Sequence, residues 1–189
     1  MDPKQLFNKA LQQAATCIRG VQTHQLTNST PCTEWDLKAL LNHMVYELLW
    51  IPPLLQGQTI AEVGDQFDGD VLSGDFMSAW SKASDQAQKA VAAADPEATV
   101  RLSYGDRQAK DYIKETGTDI FIHTWDTAQA IACTLTLDEA IAKEIYDGAL
   151  PNKDSFKNSG LFADPIAVPL NADIQTKLLG LLGRKAQAV

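Results

Sequence analysis

One stretch of the sequence, residues 118–133, combines the period of an α-helix with apolar side chains around most of its circumference. A helix that is apolar on nearly every side is suited to the interior of a protein rather than to water. The stretch therefore predicts a buried helix that packs against other elements. Its apolar residues are Ile120, Phe121, Ile122, Trp125, Ala128 and Ile131.

A narrow polar stripe interrupts this apolar surface. At about 100° per residue, Asp119, His123 and Asp126 fall within about 60° of one another. Buried carboxylates and a buried imidazole are costly unless they are paired or bound to a cation. Two alternatives follow from the residue types: a histidine hydrogen-bonded to carboxylate in the core, or a divalent metal site with ligands on consecutive turns.

The rest of the chain has helical periodicity in several further segments separated by short connections. The sequence therefore predicts an all-α fold, with a helix bundle of four or five helices as its leading form. A short alternating stretch at 100–104 predicts an extended segment or hairpin, and residues 151–169 read as an irregular connection. The predicted helices begin and end near residues 3–21, 34–51, 75–94, 118–133 and 138–149, and a last short helix is predicted at 172–183.

Capping and breaking residues set the expected helix ends. Thr33 is the predicted N-cap of the second helix, because Asp36 three residues later completes a pattern similar to a capping box. Pro52–Pro53 is expected to end that helix. Asn171 is the predicted N-cap of the last short helix.

The charge of the chain excludes some classes of partner. Its 24 acidic and 16 basic residues give a net charge of −8, which argues against binding to nucleic acid or to anionic membranes. No apolar run reaches the roughly 18 residues needed to cross a bilayer, and the N-terminus lacks the features of a signal peptide. We therefore expect a cytoplasmic protein.

The three cysteines, Cys17, Cys32 and Cys133, are odd in number and widely spaced. This pattern is typical neither of a disulfide framework nor of a zinc site with paired cysteines. We predict that each is a small buried apolar residue. Cys32, in the turn before the second helix, is expected to have a structural role.

A catalytic metal site needs a third ligand, and the histidines limit the choice. His24 lies in a loop-like segment, whereas His43 lies at the flank of the apolar stripe of the second helix. His43, Asp119 and His123 would form a set of two histidines and one carboxylate. Three protein ligands leave room for water or substrate, as in catalytic rather than structural sites.

Three other residues are candidates near such a site. Glu47, one turn after His43, is either a general base, a spare ligand or a residue of a solvated helix face. Trp35 and Trp125 either line a pocket or belong to the core.

Three separated segments carry a resemblance to a known family: "TPCTEWDLKALLNHMV", "DIFIHTWDTAQA" and "LFADPIAVPLNADIQTKLLGLLGR". In this order they resemble the DinB-like metal-binding helical bundle proteins. More narrowly, they resemble the branch related to the N-terminal domain of mycothiol-dependent maleylpyruvate isomerase. The resemblance extends from about residue 5 to Arg184.

The resemblance implies a fold and a ligand set. The fold is a DinB/YfiT-like four-helix bundle with a short extra C-terminal helix, as a single domain over residues 1–189. The metal histidines of the family fall on His43 and His123, and its acidic ligand falls on Asp119, where the family has glutamate. Asp126 either orients a histidine or replaces Asp119 as ligand.

The resemblance also implies a chemistry. The expected cofactor is a divalent metal, zinc or nickel, with a low-molecular-weight thiol as a further cofactor or partner. The implied reaction is thiol-dependent transfer or isomerisation, or else metal-dependent hydrolysis, on a small-molecule substrate. The alternative is a bundle that binds a metal or small ligand without turnover, as a stress or sensor protein. A homodimer is compatible with such bundles.

Overall fold

The computed structural model describes residues 1–152 and 163–185, and these are mainly helical, as the all-α prediction requires. The chain divides into two compact units, Asp2–Thr134 and the segment from Leu135 onward. The prediction of a single domain over residues 1–189 stays a prediction. In chain order the elements are α1 (Pro3–Ile18), α2 (Leu37–Leu55), α3 (Ile60–Val63), α4 (Phe76–Ala93), β1 (Thr99–Leu102), β2 (Gly105–Gln108), α5 (Ala109–Ala130), α6 (Glu139–Ala149) and α7 (Ile174–Leu181).

The first unit is a bundle of the four long helices α1, α2, α4 and α5. Helix α5 packs against both α1 and α2, and α2 also packs against α4. On α5, Ile120, Phe121 and Ala128 are fully buried. The prediction of a buried helix in this part of the chain is confirmed.

Helix α5 begins at Ala109, nine residues before the predicted start near Thr118. The added part is charged on its outer side, but it buries Tyr112, Ile113 and Thr116 at helical spacing. It follows directly on β2, which pairs with β1 in antiparallel fashion and confirms the predicted hairpin. The helix therefore extends the bundle up to the hairpin.

Both predicted ends of the second helix are wrong. Helix α2 begins at Leu37, and Asp36 is its N-cap, with a side-chain oxygen that accepts the Ala39 N–H at 2.8 Å. Thr33 lies inside the preceding turn, in which the Trp35 N–H donates to the Cys32 carbonyl at 2.8 Å.

At its other end, α2 continues through Pro52 and Pro53 to Leu55. A proline removes the hydrogen bond of its own nitrogen but leaves its carbonyl as an acceptor. The Gln56 and Gln58 N–H groups use these carbonyls, at 3.1 and 3.0 Å. The two prolines therefore lie in the last turn instead of ending the helix before it.

The second unit contains α6 packed against α7. Helix α6 lies where the helix at 138–149 was predicted, and Asp138 is its N-cap. Asp173 rather than Asn171 caps α7, because its carboxylate accepts the Thr176 N–H at 2.8 Å. Residues 153–162 of the predicted irregular connection lie outside the described residues.

In the described part of the chain, the helices are too short or too polar to cross a membrane.

Candidate metal centre

Three predicted ligands meet between two helices of the bundle. His43 belongs to α2, whereas Asp119 and His123 lie one turn apart on α5. Oδ2 of Asp119 lies 3.2 Å from Nε2 of His43, and Oδ1 of Asp119 lies 3.3 Å from Nε2 of His123. One atom of each residue lies within 4.8 Å of the others. One carboxylate thus joins two imidazoles from different helices.

A second carboxylate faces the remaining nitrogen of each imidazole. Nδ1 of His123 lies 3.0 Å from Oδ2 of Asp126, which is the alternative ligand considered from the sequence. Nδ1 of His43 lies 4.0 Å from Oε1 of Glu47, one helical turn later. Carboxylates in this position orient metal-binding histidines by accepting the proton of the other ring nitrogen. Asp126 therefore lies where it can accept the Nδ1 proton of His123, and Glu47 lies beside His43 at a longer distance.

The two tryptophans have different surroundings. The ring of Trp35 lies against both imidazoles, with centroids 4.6 Å from His43 and 5.8 Å from His123. Trp125 is 3% exposed and belongs to the core. Two residues after His123, it points about 160° away around the helix. Of the two candidates for the pocket wall, Trp35 lies at the centre and Trp125 does not.

The centre is closed on one side and open on the other. The side chain of Asp126 is 0% exposed and that of His123 is 10% exposed. The side chain of His43 is 23% exposed and that of Asp119 is 36% exposed. A small molecule can therefore approach from the side of His43 and Asp119, whereas the side chains of His123 and Asp126 are largely enclosed.

The electrostatics of the centre favour a charged pair in the absence of a cation. Burial alone would raise the pKa of Asp119, but the neighbouring His123 and His43 hold it below its ordinary value. Burial alone would lower the pKa of His123, but the charge of Asp119 and the hydrogen bonds to Asp119 and Asp126 raise this pKa well above its ordinary value. Burial, together with the charge of Asp119, raises the pKa of Glu47.

Cys32 contacts the closed side of the centre, which sequence reasoning missed. Its Sγ lies 3.4 Å from Oδ2 of Asp126 and 3.9 Å from Nδ1 of His123. The expectation of three buried cysteines holds for Cys17, whose burial raises its pKa to about 12. It is wrong for Cys133, which is exposed, and for the half-buried Cys32. A signal for Cys32 was its position in the turn before the helix that carries His43.

The donor set fits a divalent cation. Two imidazole nitrogens and a carboxylate oxygen suit zinc and nickel. Zinc bonds of 2.0–2.2 Å at tetrahedral angles place nitrogen and oxygen ligands roughly 3.4 Å apart. The two contacts of Asp119, at 3.2 and 3.3 Å, are near this separation but use different oxygens, Oδ2 toward His43 and Oδ1 toward His123. The short side chain of Asp119 therefore reaches both imidazoles.

Comparison with known proteins agrees with this architecture. Residues 7–128 match the family model for the mycothiol maleylpyruvate isomerase N-terminal domain. The uncharacterized proteins Rv0738 and MT0763, from the H37Rv and CDC 1551 strains of Mycobacterium tuberculosis, are each 26% identical to the chain over 187 residues. These alignments cover 97% of the chain and 98% of each relative. No solved structure matches the chain significantly. The matched region contains the four bundle helices nearly complete, and the chain belongs to the mycothiol maleylpyruvate isomerase N-terminal domain family.

Proposed function

We propose that this protein binds a divalent metal ion through His43, Asp119 and His123 and uses it in thiol-dependent transfer or isomerisation. The observation that carries the proposal is the position of Asp119, with one oxygen on each of two imidazoles from different helices. Three ligands leave a position for a small molecule, and the partly exposed side of the centre gives access to it.

A bound divalent cation lowers the pKa of coordinated water and deprotonates a coordinated thiol. The protein side chains have separate roles around it. Asp126 accepts the Nδ1 proton of His123 and so keeps Nε2 available as a ligand. Glu47 lies 4.0 Å from Nδ1 of His43, beyond hydrogen-bond distance, and acts on this ring through its charge. The raised pKa of Glu47 also suits a group that exchanges a proton with a bound molecule.

The proposal also names the molecule that reacts at the metal, a low-molecular-weight thiol. The family is named after mycothiol maleylpyruvate isomerase, and this name favours a low-molecular-weight thiol over water as the reacting molecule. Hydrolysis is the competing chemistry at the same ligands. Three free cysteines suit a reducing compartment, so we place the protein in the cytoplasm.

Metal analysis by mass spectrometry tests the ligand set. The wild-type protein should retain about one zinc or nickel ion per chain, and His43→Ala and His123→Ala should each lose it. His24→Ala is the matched control, because His24 is exposed in a short 3₁₀ helix, Thr23–Gln25. Equal metal in all four proteins, or none in any of them, would contradict the proposal.

Turnover assays test the chemistry. Low-molecular-weight thiols are combined with small electrophiles and with unsaturated acids that can isomerise, and each reaction is followed with and without a chelator. We expect metal-dependent turnover that His43→Ala abolishes and His24→Ala preserves. Metal binding without turnover of any pair would instead favour the non-catalytic stress or sensor alternative, and turnover without thiol would favour hydrolysis.

A further inference from the structure

We propose that Cys32, Asp126 and the Nδ1 atom of His123 form a second cation site, selective for thiophilic ions such as Cd²⁺. This site lies on the closed side of the centre, at Nδ1 of His123, whereas Asp119 contacts Nε2 of the same ring. It uses a thiol that the proposed function does not need, and it does not depend on that function.

The distances among the three ligand atoms carry the proposal. Nδ1 of His123 and Oδ2 of Asp126 lie 3.0 Å apart, Sγ of Cys32 and Oδ2 of Asp126 lie 3.4 Å apart, and Sγ and Nδ1 lie 3.9 Å apart. Zinc–ligand bond lengths at tetrahedral angles give separations of roughly 3.4–3.6 Å for these atoms. Shifts of about half an ångström would therefore bring all three onto one ion.

The surrounding structure holds these ligands in place. The Cys32 N–H donates to Oγ1 of Thr30 at 3.1 Å, and the Cys32 carbonyl accepts the Trp35 N–H at 2.8 Å. Asp126 is 0% exposed on a helix of the core, so its carboxylate has little freedom to turn away. Cys32 is half-buried, which leaves a route of entry.

The chemistry of the donors sets the selectivity. A thiolate favours soft and borderline ions, whereas two imidazoles and a carboxylate favour borderline ions such as zinc and nickel. When the ion binds, the Cys32 thiol and Nδ1 of His123 each release a proton to solvent, and a sulfur–metal bond and a nitrogen–metal bond form. No change in oxidation state is involved.

The two sites compete for one imidazole. A neutral imidazole has one nitrogen with a lone pair and one that carries a proton. An ion on Nδ1 leaves the proton on Nε2, which then donates to Asp119 rather than binding a second ion. Each chain should therefore bind one ion at a time, and the identity of the ion decides which ligands it uses. A thiophilic ion should displace zinc or nickel from His123.

Ultraviolet absorption during titration with Cd²⁺ tests the site. Metal-free, full-length protein should develop a thiolate-to-cadmium charge-transfer band that saturates at one ion per chain. The band should persist in His43→Ala, which lacks a ligand of the first set, and in Cys133→Ser, which removes the exposed cysteine. It should be lost in Cys32→Ser. Persistence of the band in Cys32→Ser, or its absence from both the wild type and His43→Ala, would overturn the proposal.

Alkylation of the unaltered thiol provides a second test that does not depend on the folding of a Cys32 variant. In the wild type and in His43→Ala, the rate of Cys32 modification is measured by peptide mapping with and without Cd²⁺. At a free concentration 100 times the dissociation constant, protection should reach about a hundredfold at Cys32. Cys133 is the internal control and should show no saturable protection. Equal rates at Cys32 with and without Cd²⁺ would exclude the site.

The test separates this site from the proposed function. Loss of zinc and nickel from His43→Ala bears on the first ligand set alone, and the cadmium band in that same variant bears on the second. If either result is not obtained, the other can still be interpreted.

Discussion

The Nε2 atom of His43 lies 3.2 Å from Oδ2 of Asp119, although 76 positions separate the two residues in the sequence. This contact joins α2 to α5 at the open side of the centre. A cation that both residues bind would hold the two helices together and would be absent from the unfolded chain. Its binding free energy would therefore add to the stability of the bundle.

We predict that Zn²⁺ raises the melting temperature of the metal-free protein. At a free concentration 100 times the dissociation constant, the gain in free energy of unfolding is about 2.7 kcal/mol. Asp119→Asn should lose most of this gain, whereas Asp106→Asn, in the exposed part of the hairpin, should keep it. Calorimetry with and without Zn²⁺ measures the difference. An equal gain in both variants would exclude Asp119 as a ligand.

The two outer carboxylates should differ in their effect on metal affinity. Loss of a carboxylate that orients a metal-binding histidine typically weakens binding by about 10–100-fold. Asp126→Asn should show this effect in full, because Asp126 is buried 3.0 Å from His123. Glu47→Gln should have a smaller effect, because Glu47 is 33% exposed and lies 4.0 Å from His43. Competition with a chromogenic chelator gives both affinities, and the reverse order would contradict this account.

The stability of the metal-free protein should decrease as pH rises above neutrality. The pKa of His123 is raised in the folded state, so its charged form stabilises the fold most fully below the ordinary histidine pKa of about 6.5. This contribution is lost as pH rises through the folded-state pKa. Urea unfolding at a series of pH values measures it.

The same pair should also lose stability in acid. The pKa of Asp119 is lowered, so its contribution is complete above about 3.9 and is lost as pH falls through the folded-state value. His123→Gln should flatten the loss on the alkaline side, and His24→Gln, at the exposed histidine, should not. An unchanged pH profile in His123→Gln would be incompatible with the charged pair.

Much of the centre could be predicted from the sequence because helical periodicity is a local property. The spacing of Asp119, His123 and Asp126 fixes one stripe of a helix whatever surrounds it, and the apolar residues beside that stripe indicate burial. The position of His43 at the flank of another apolar stripe could only suggest that it faces α5. The resemblance to a metal-binding family selected this pairing, since periodicity carries no information about contacts between helices.

Cys32 shows why the remainder could not be predicted. Its contact with Asp126 depends on the path of the turn between Thr30 and Trp35, and this turn is set by side-chain and backbone hydrogen bonds rather than by a periodic pattern. The same turn explains the error at the start of α2. Thr33 and Asp36 are both good N-cap residues, and local preference alone does not decide between them.

Alanine substitutions at Thr33 and Asp36 should show which of the two residues is the N-cap of α2. Asp36→Ala removes the acceptor of the Ala39 N–H and should lower the free energy of unfolding by about 1 kcal/mol. Thr33→Ala should leave it within about 0.5 kcal/mol of the wild type, as is usual for surface positions. Urea unfolding of the metal-free proteins measures both. A larger loss for Thr33→Ala would restore Thr33 as the cap.

Helix α5 packs closely on α1 at Gly117, where a larger side chain has no room. A Cβ atom there would lie 2.8 Å from Cδ2 of Leu6 and 3.1 Å from the backbone Cα of Phe7, so α1 would have to move. Overpacking of this kind costs about 1–3 kcal/mol and outweighs the gain of up to about 1 kcal/mol from replacing a helical glycine.

Gly117→Ala should therefore destabilise the protein in urea unfolding. The matched control is Gly148→Ala in α6, where an added Cβ meets no atom within 4 Å and only the helical gain applies. Because Gly117 lies two residues before Asp119, the same displacement should weaken Zn²⁺ binding in Gly117→Ala but not in Gly148→Ala. Stabilisation by both substitutions would mean that α1 and α5 do not approach as closely as the glycine requires.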